Sequence, residues 1–303
     1  MWNIKPSGET LGCRIEGVDL SKPFGRDELG YTLRALADHG VVCFPGQQLT
    51  PAQQVAFSRA FGRLEVHVSG AFQEPGHPEV MILSNVVRDG KSVGLDDAGQ
   101  DWHTDGSFSK TIMFVNVLYA LKVPHRDGRP LGATLFANMA DAYDALPGDV
   151  KRRIEGRTAT HDFEKFWEMM RARGGTASSR APLTDAQRHQ KRPVSHPIVM
   201  THPISGRKSL YADPGYTVRI DDLPEAESED LLQFLFRHQV QPRFQYAHRW
   251  SEGDVLIWDN LRTLHKAEAD YCADEPRLIK RCQAMADLVF TPEFALLVEH
   301  ARL

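Results

Sequence analysis

The sequence predicts an all-β or mixed barrel-like sandwich rather than a nucleotide-binding βαβ fold, on three observations. Short β-branched and aromatic runs, at Val41–Phe44, Val80–Leu83, Ala133–Phe136, Phe244–Trp250, Asp254–Trp258 and Leu278–Met285, are punctuated by Gly- and Pro-containing turns. The run Met113–Leu121 has almost no polar interruption, which suits a strand covered on both faces. No Walker sequence or dinucleotide fingerprint is present.

The elements follow in order. Leu11 to Leu20 suggests a short extended region. A helix is expected over Arg26 to Asp38, where Leu29, Leu33 and Leu36 recur at helical spacing, and Gly40 can end it in a left-handed cap. Thr50-Pro51 reads as an N-cap with proline at the first helical position, opening a helix to about Phe61. Pro75 to Pro78 is a loop before the strand at Val80. Residues 89–100 are rich in Gly and Asp and are expected to form an active-site loop.

After the long apolar run, Asn138 to Leu146 resembles a capped helix, and Asp149 to Gly156 a second, basic one. An insertion spans about 161–191, with a polar middle at 174–179 that reads as a flexible excursion. Val194 to Met200 and Ser209 to Tyr211 are strand-like around the turn Ser205-Gly206. A helix runs from about Leu223 to His238, with Leu231, Leu232 and Leu235 on one face.

A chain of 303 residues, 42% hydrophobic, can bury a sizeable core, and one domain over 1–303 is expected. A net charge of −4 argues against nucleic acid as a partner, while a local basic patch can still hold a small anion. The four cysteines have no close ligand spacing, so they read as free thiols of a reducing compartment. The start lacks a secretory apolar run, and no segment approaches 18 consecutive apolar residues, so the expectation is a cytoplasmic protein with no membrane partner.

The chemistry concentrates in Trp102-His103-Thr104-Asp105. In extended backbone, residues i and i+2 point to one side, so His103 and Asp105 can reach one divalent metal. His265, just beyond the apolar segment ending in Trp258-Asp259-Asn260, is the candidate third ligand. Two histidines and one carboxylate on one face of a metal are the arrangement preferred by non-haem Fe(II) oxygenases, although the same trio can hold a hydrolytic zinc.

His103-Thr104-Asp105, the distal His265 and the basic run Arg277-Leu278-Ile279-Lys280-Arg281 together resemble the taurine dioxygenase and 2,4-dichlorophenoxyacetate dioxygenase family of Fe(II)/2-oxoglutarate oxygenases. The resemblance extends from Gly12 to about Ala286. It implies a mainly β fold with peripheral helices around a double-stranded β-helix, or jelly roll. It also implies Fe(II) bound by His103, Asp105 and His265, with 2-oxoglutarate and O2 as co-substrates and succinate and CO2 as products.

Arg277 then takes the place of the 2-oxoglutarate-binding arginine, where a guanidinium can pair bidentately with the far carboxylate, and Thr134 that of its helping hydroxyl. On composition alone both read as ordinary strand or surface residues. Arg281 shares a face with Arg277 in an extended strand or in a helix, and is expected to meet the metal site or the substrate anion, with Lys280 facing away.

His67, Phe163 and Tyr216 fall at substrate-lining positions of the taurine enzyme, though core packing explains the two rings equally well. Near Gly70 and Gly99 the family's aromatic and amide contacts are replaced by glycine, which removes partners for taurine's amine. The expected substrate is therefore a small anionic organic acid, namely a sulfonate, sulfate ester or carboxylate other than taurine. The alternatives are a zinc-dependent hydrolase and a non-catalytic small-acid-binding protein. A homo-oligomer is the family-based expectation.

Overall fold

Alternation along the central strands explains the architecture. In the computed structural model, which describes residues 2–66, 72–173 and 181–300, the long strand Met113–Lys122 is buried over its first eight residues. Val115, Val117 and Tyr119 join one core cluster, while Leu118 and Ala120 join another on the opposite face. A strand covered on both faces has no solvent side to mark with polar residues, so the sequence reads as one apolar run.

That strand lies inside an eight-stranded sheet. In spatial order the strands are Asn3–Pro6, Cys13–Glu16, Val41–Phe44, Val255–Asp259, Met113–Lys122, Leu278–Met285, His77–Ser84 and Gln73–Glu74. All neighbours pair antiparallel except Cys13–Glu16 with Val41–Phe44. The outer face packs on the helices Arg26–His39, Pro51–Arg59 and Pro292–His300, through Leu33, Leu36, Phe57 and Phe294.

The expected caps are present. Gly40 has φ of 70° and donates to the Leu36 carbonyl. Thr50 and Gln53 form a reciprocal capping box.

The inner face meets a three-stranded sheet made of Gln245–His248, Thr134–Asn138 and Thr263–Ala267. Phe136 crosses between the sheets to Trp258, with ring centroids 5.3 Å apart. A further three-stranded sheet, Val194–Pro197, Thr158–His161 and Thr217–Ile220, sits with the helix Glu225–Gln239 around a separate apolar cluster that includes Leu231, Leu232 and Leu235.

The expectation of a mainly β chain with peripheral helices holds approximately: the fold is strand-rich but mixed, with 28% of residues helical and 31% in strands. Part of the helix lies in the 161–191 insertion. Phe163–Arg173 and Asp185–Gln190 are helices, the second opened by a Thr184–Gln187 capping box. The Gly- and Ser-rich middle at 174–179 lies outside the described residues. Among the described residues, no helix is long and apolar enough to cross a membrane.

The 89–100 segment is partly tied down. It begins in the small hairpin Val87–Arg88 with Lys91–Ser92, and Leu95 then bridges Leu83. Ser84 donates to the Leu95 carbonyl at 2.9 Å, and Leu95 to the Ile82 carbonyl at 3.0 Å. A Cβ at Gly94 would meet the Ile82 carbonyl oxygen and the Ser84 nitrogen, each at 2.8 Å, so only glycine admits this approach. Replacing Gly94 with Ala is expected to speed amide exchange at Leu95 and Ser84 in hydrogen–deuterium exchange. Unchanged protection would show that the segment is held by other contacts.

Candidate active site

The two histidines meet because their backbones pair. His103 donates to the His265 carbonyl at 3.1 Å and His265 to the His103 carbonyl at 2.8 Å, forming an isolated antiparallel bridge. Residues so paired project side chains to the same face, and the imidazole centroids lie 4.2 Å apart. The sequence predicted a strand through His103–Asp105. Only His103 is a bridge residue, and the chain turns at Asp105.

That turn still brings the carboxylate to the rings. Asp105 Oδ1 lies 3.7 Å from His103 Nε2 and Oδ2 lies 3.5 Å from His265 Nε2. The ligating atoms of all three residues lie within 4.8 Å of one another, and all three residues are buried.

The surroundings orient these atoms. His103 Nδ1 lies 2.7 Å from the Asp101 carbonyl, so it carries the proton and leaves the Nε2 lone pair facing Asp105. Asp101 is itself held by Arg173 at the end of the insertion helix. Asn116, the polar interruption in the apolar strand, donates from Nδ2 to Asp105 Oδ2 at 2.8 Å and accepts from Gln283 at 2.9 Å.

Burial, then the neighbouring His265, lower the His103 pKa to about 3, so the ring is neutral at ordinary pH. Burial alone would raise the Asp105 pKa. The His265 imidazole and the Arg281 guanidinium outweigh it, holding the carboxyl well below the usual range. The neutral His103 ring and the His265 Nε2 face an ionised carboxylate at separations too long for good hydrogen bonds, a donor set that suits a divalent cation at about 2.0–2.2 Å from each atom.

The cavity beside this trio is lined by Thr134, Trp258, Tyr271, Arg277 and Arg281, together with His103 and His265. Arg277 is 7% exposed, and burial lowers its pKa, with the Tyr271 phenol opposing. Among the described residues no carboxylate forms an ion pair with Arg277, an arrangement that asks for an anion in the cavity.

Thr134 accepts from Trp250 Nε1 at 3.0 Å, which leaves its hydroxyl hydrogen available as a donor. Arg281 lines the same cavity, with Nη1 3.8 Å from Asp105 Oδ2, whereas Lys280 pairs with Glu74 at 2.8 Å. Period-two alternation along Leu278–Met285 therefore separates the two as expected.

On the other side of His103 stands an aromatic wall. The Phe166 centroid is 4.9 Å from the His103 ring and 4.8 Å from Tyr216. Phe108 lies 4.8 Å from Tyr216 and 4.9 Å from Phe163. Tyr216 and Phe163 thus fall into one cluster with His103. Phe108 and Phe166 were missed in the sequence, although Phe166, one helical turn after Phe163, carried a spacing signal. His67 and Gly70 lie outside the described residues. Gly99, with φ of +73°, backs onto the His103 ring, where a Cβ would reach Cε1 at 3.4 Å.

The fold also gathers Cys43, His248 and Asp254. None of these lines the cavity, and Asp254 accepts from the Ser251 amide at 3.0 Å and faces His248 Nε2 at 3.2 Å. The four cysteines are free thiols.

A trio able to hold a metal beside a buried arginine without an ion-pair partner among the described residues points to a metal-dependent enzyme acting on a small acid. The chain belongs to the taurine catabolism dioxygenase TauD, TfdA family, whose profile matches residues 3–283. It is 34% identical over 294 residues to the alpha-ketoglutarate-dependent 2,4-dichlorophenoxyacetate dioxygenase of Cupriavidus pinatubonensis, covering 94% of this chain and 98% of that protein. To the pentalenolactone F synthase of Streptomyces avermitilis it is 30% identical, covering 92% of each.

Among solved structures, AAD-2 in complex with Mn(II) and N-oxalylglycine superposes with a TM-score of 0.75 at 28% identity, covering 94% of this chain and 97% of that one. A taurine dioxygenase from Burkholderia xenovorans gives 0.74 at 28% identity, covering 94% and 91%.

The depressed His103 pKa has a thermodynamic consequence. The ordinary value is 6.5 and the folded value about 3, so between them the unfolded chain binds the proton more readily. The contribution to stability is present above pH 6.5 and is lost as pH falls toward 3. In thermal melts of metal-free protein, Tm is expected to fall between pH 7 and 4, and to fall less steeply in His103→Phe. Equal slopes would count against a buried neutral His103.

Proposed function

We propose that the protein is an Fe(II)- and 2-oxoglutarate-dependent dioxygenase that hydroxylates a small organic acid other than taurine, with His103, Asp105 and His265 as metal ligands. The observation that carries this reading is the convergence of three donor atoms beside a cavity that two of their residues, His103 and His265, line together with a buried Arg277, which lacks an ion-pair partner among the described residues. The chemistry supplied by bound Fe(II) is the coupling of 2-oxoglutarate decarboxylation to substrate hydroxylation by O2, with release of succinate and CO2.

The chain's own groups divide the remaining work. Arg277 and the Thr134 hydroxyl receive the far carboxylate of 2-oxoglutarate, and Trp250 keeps that hydroxyl turned as a donor. Asn116 holds Asp105 in place, and the Asp101 carbonyl keeps His103 in the tautomer that can ligate.

Arg281 offers positive charge beside Asp105 to an anionic substrate group. Phe163 and Tyr216, with Phe108 and Phe166, border the carbon skeleton and exclude water. A wall of rings suits a substrate with an apolar body better than a short aminosulfonate. Relatives named for 2,4-dichlorophenoxyacetate and (S)-phenoxypropionate support a carboxylate of that kind.

In this reading residues 1–303 form one domain whose two facing sheets are the halves of a double-stranded β-helix. The free thiols accord with a cytoplasmic location.

Under anaerobic conditions, Fe(II) and 2-oxoglutarate are expected to give a weak visible charge-transfer band with the wild type that is absent from His103→Ala. A zinc hydrolase or a simple acid-binding protein would give no such band, consume no O2 and form no succinate. Arg277→Ala is expected to weaken 2-oxoglutarate binding at least about 30-fold, equivalent to ~2 kcal/mol, since it removes a buried charged partner. Unchanged affinity by titration would assign the anchor elsewhere.

A further inference from the structure

Three separate segments supply the aromatic side of the site, and one buried carboxylate ties them together. Asp213 is fully buried. Its Oδ1 accepts from the backbone amides of Gly215 and Tyr216, each at 2.9 Å. Its Oδ2 accepts from Ser107 Oγ at 3.1 Å and lies 3.5 Å from His161 Nδ1. Ser107 stands two residues beyond Asp105 and next to Phe108. His161 stands two residues before Phe163, and Tyr216 is itself part of the wall.

The close packing at Gly215 gives this junction its consequence. A Cβ there would lie 2.8 Å from His103 Cβ, 3.0 Å from Asp213 Oδ1 and 3.1 Å from Phe166 Cδ2. Gly215 has no left-handed φ, so glycine is required here by space alone. The turn is pulled inward by Asp213 on one side and pressed on the backbone end of the His103 side chain on the other. Any relaxation of Asp213 is therefore passed to the ring that faces Asp105 and His265.

We infer that Asp213 is a positioning residue that sets the aromatic substrate wall and the His103 ring at their working separation. The inference rests on the reading of His103 as a metal ligand and adds to it a residue that touches neither metal nor co-substrate. Loss of the carboxylate frees the 215–216 turn, widens the wall and lets the His103 ring tilt. The Arg277 end of the cavity, built on other strands, is left as it was.

The test uses Cu(II) as a spectroscopic probe of the histidine site and 2,4-dichlorophenoxyacetate as an aryl-acid probe of the wall. In electron paramagnetic resonance of Cu(II)-loaded protein, Asp213→Ala is expected to change the parallel hyperfine splitting relative to wild type. Asp213→Asn, which keeps an oxygen acceptor for the two amides, is expected to restore most of it. The KM for 2,4-dichlorophenoxyacetate is expected to rise at least about tenfold in Asp213→Ala, with the KM for 2-oxoglutarate changed less than about twofold.

Should Asp213→Ala fail to fold, Ser107→Ala removes a single bond to the same carboxylate and is expected to shift the spectrum in the same direction by less. A variant that melts lower yet shows the wild-type copper spectrum would reduce Asp213 to a structural role and overturn the inference. A wild-type spectrum identical to that of His103→Ala would instead refute the metal reading beneath it.

Discussion

The site depends on one short backbone contact, the bridge between His103 and His265. Two hydrogen bonds join segments distant in sequence and turn both imidazoles to the same side, where the following turn delivers Asp105. This bridge extends no regular strand through His103. It exists because Thr263–Ala267 is itself fixed by pairing with Thr134–Asn138, which places Phe136 opposite His265 and Thr134 opposite Ala267. The strand that carries His265 is thereby held against the strand that carries Thr134.

Alternation along the large sheet then decides what faces the cluster. Asn116, Arg281 and Gln283 project inward from adjacent strands among Leu118, Trp258 and Ile279, while Val117, Ile257 and Cys282 pack outward on the helices. Each inward polar group has a partner or lines the cavity, as burial requires. The isolated polar residues of these strands are therefore the residues that organise the site.

Charge is distributed to match. Asp105 is surrounded by Arg281 and two imidazoles and stays ionised, whereas His103 is too deeply buried beside a second imidazole to take a proton. Arg277 is buried without a carboxylate ion pair among the described residues, although Asp96 and Glu268 line the same cavity. Three candidate metal-ligand side chains at one end and a buried guanidinium at the other are thus placed by the fold itself, and groups fixed in advance lower the ordering cost of binding.

The sequence alone determined the parts whose signal is local. Helices capped by Gly40 and Thr50, the strand buried on both faces, and the separation of Lys280 from Arg281 follow from periodicity and cap chemistry, which act over a few residues. Residue type, order and resemblance single out His103, Asp105, His265, Thr134 and Arg277 as candidates, and the fold gathers them in or beside one cavity.

Only the tertiary structure decided the helical character of much of the 161–191 insertion, the anchoring of Leu95 under Gly94, and the aromatic wall completed by Phe108 and Phe166. The same holds for Asp213, whose neighbours Ala212 and Pro214 give no hint of its role. Its partners lie on segments more than 50 residues upstream as well as on its own turn. A carboxylate that works by joining distant segments leaves no periodic trace, because its spacing is set by packing in three dimensions.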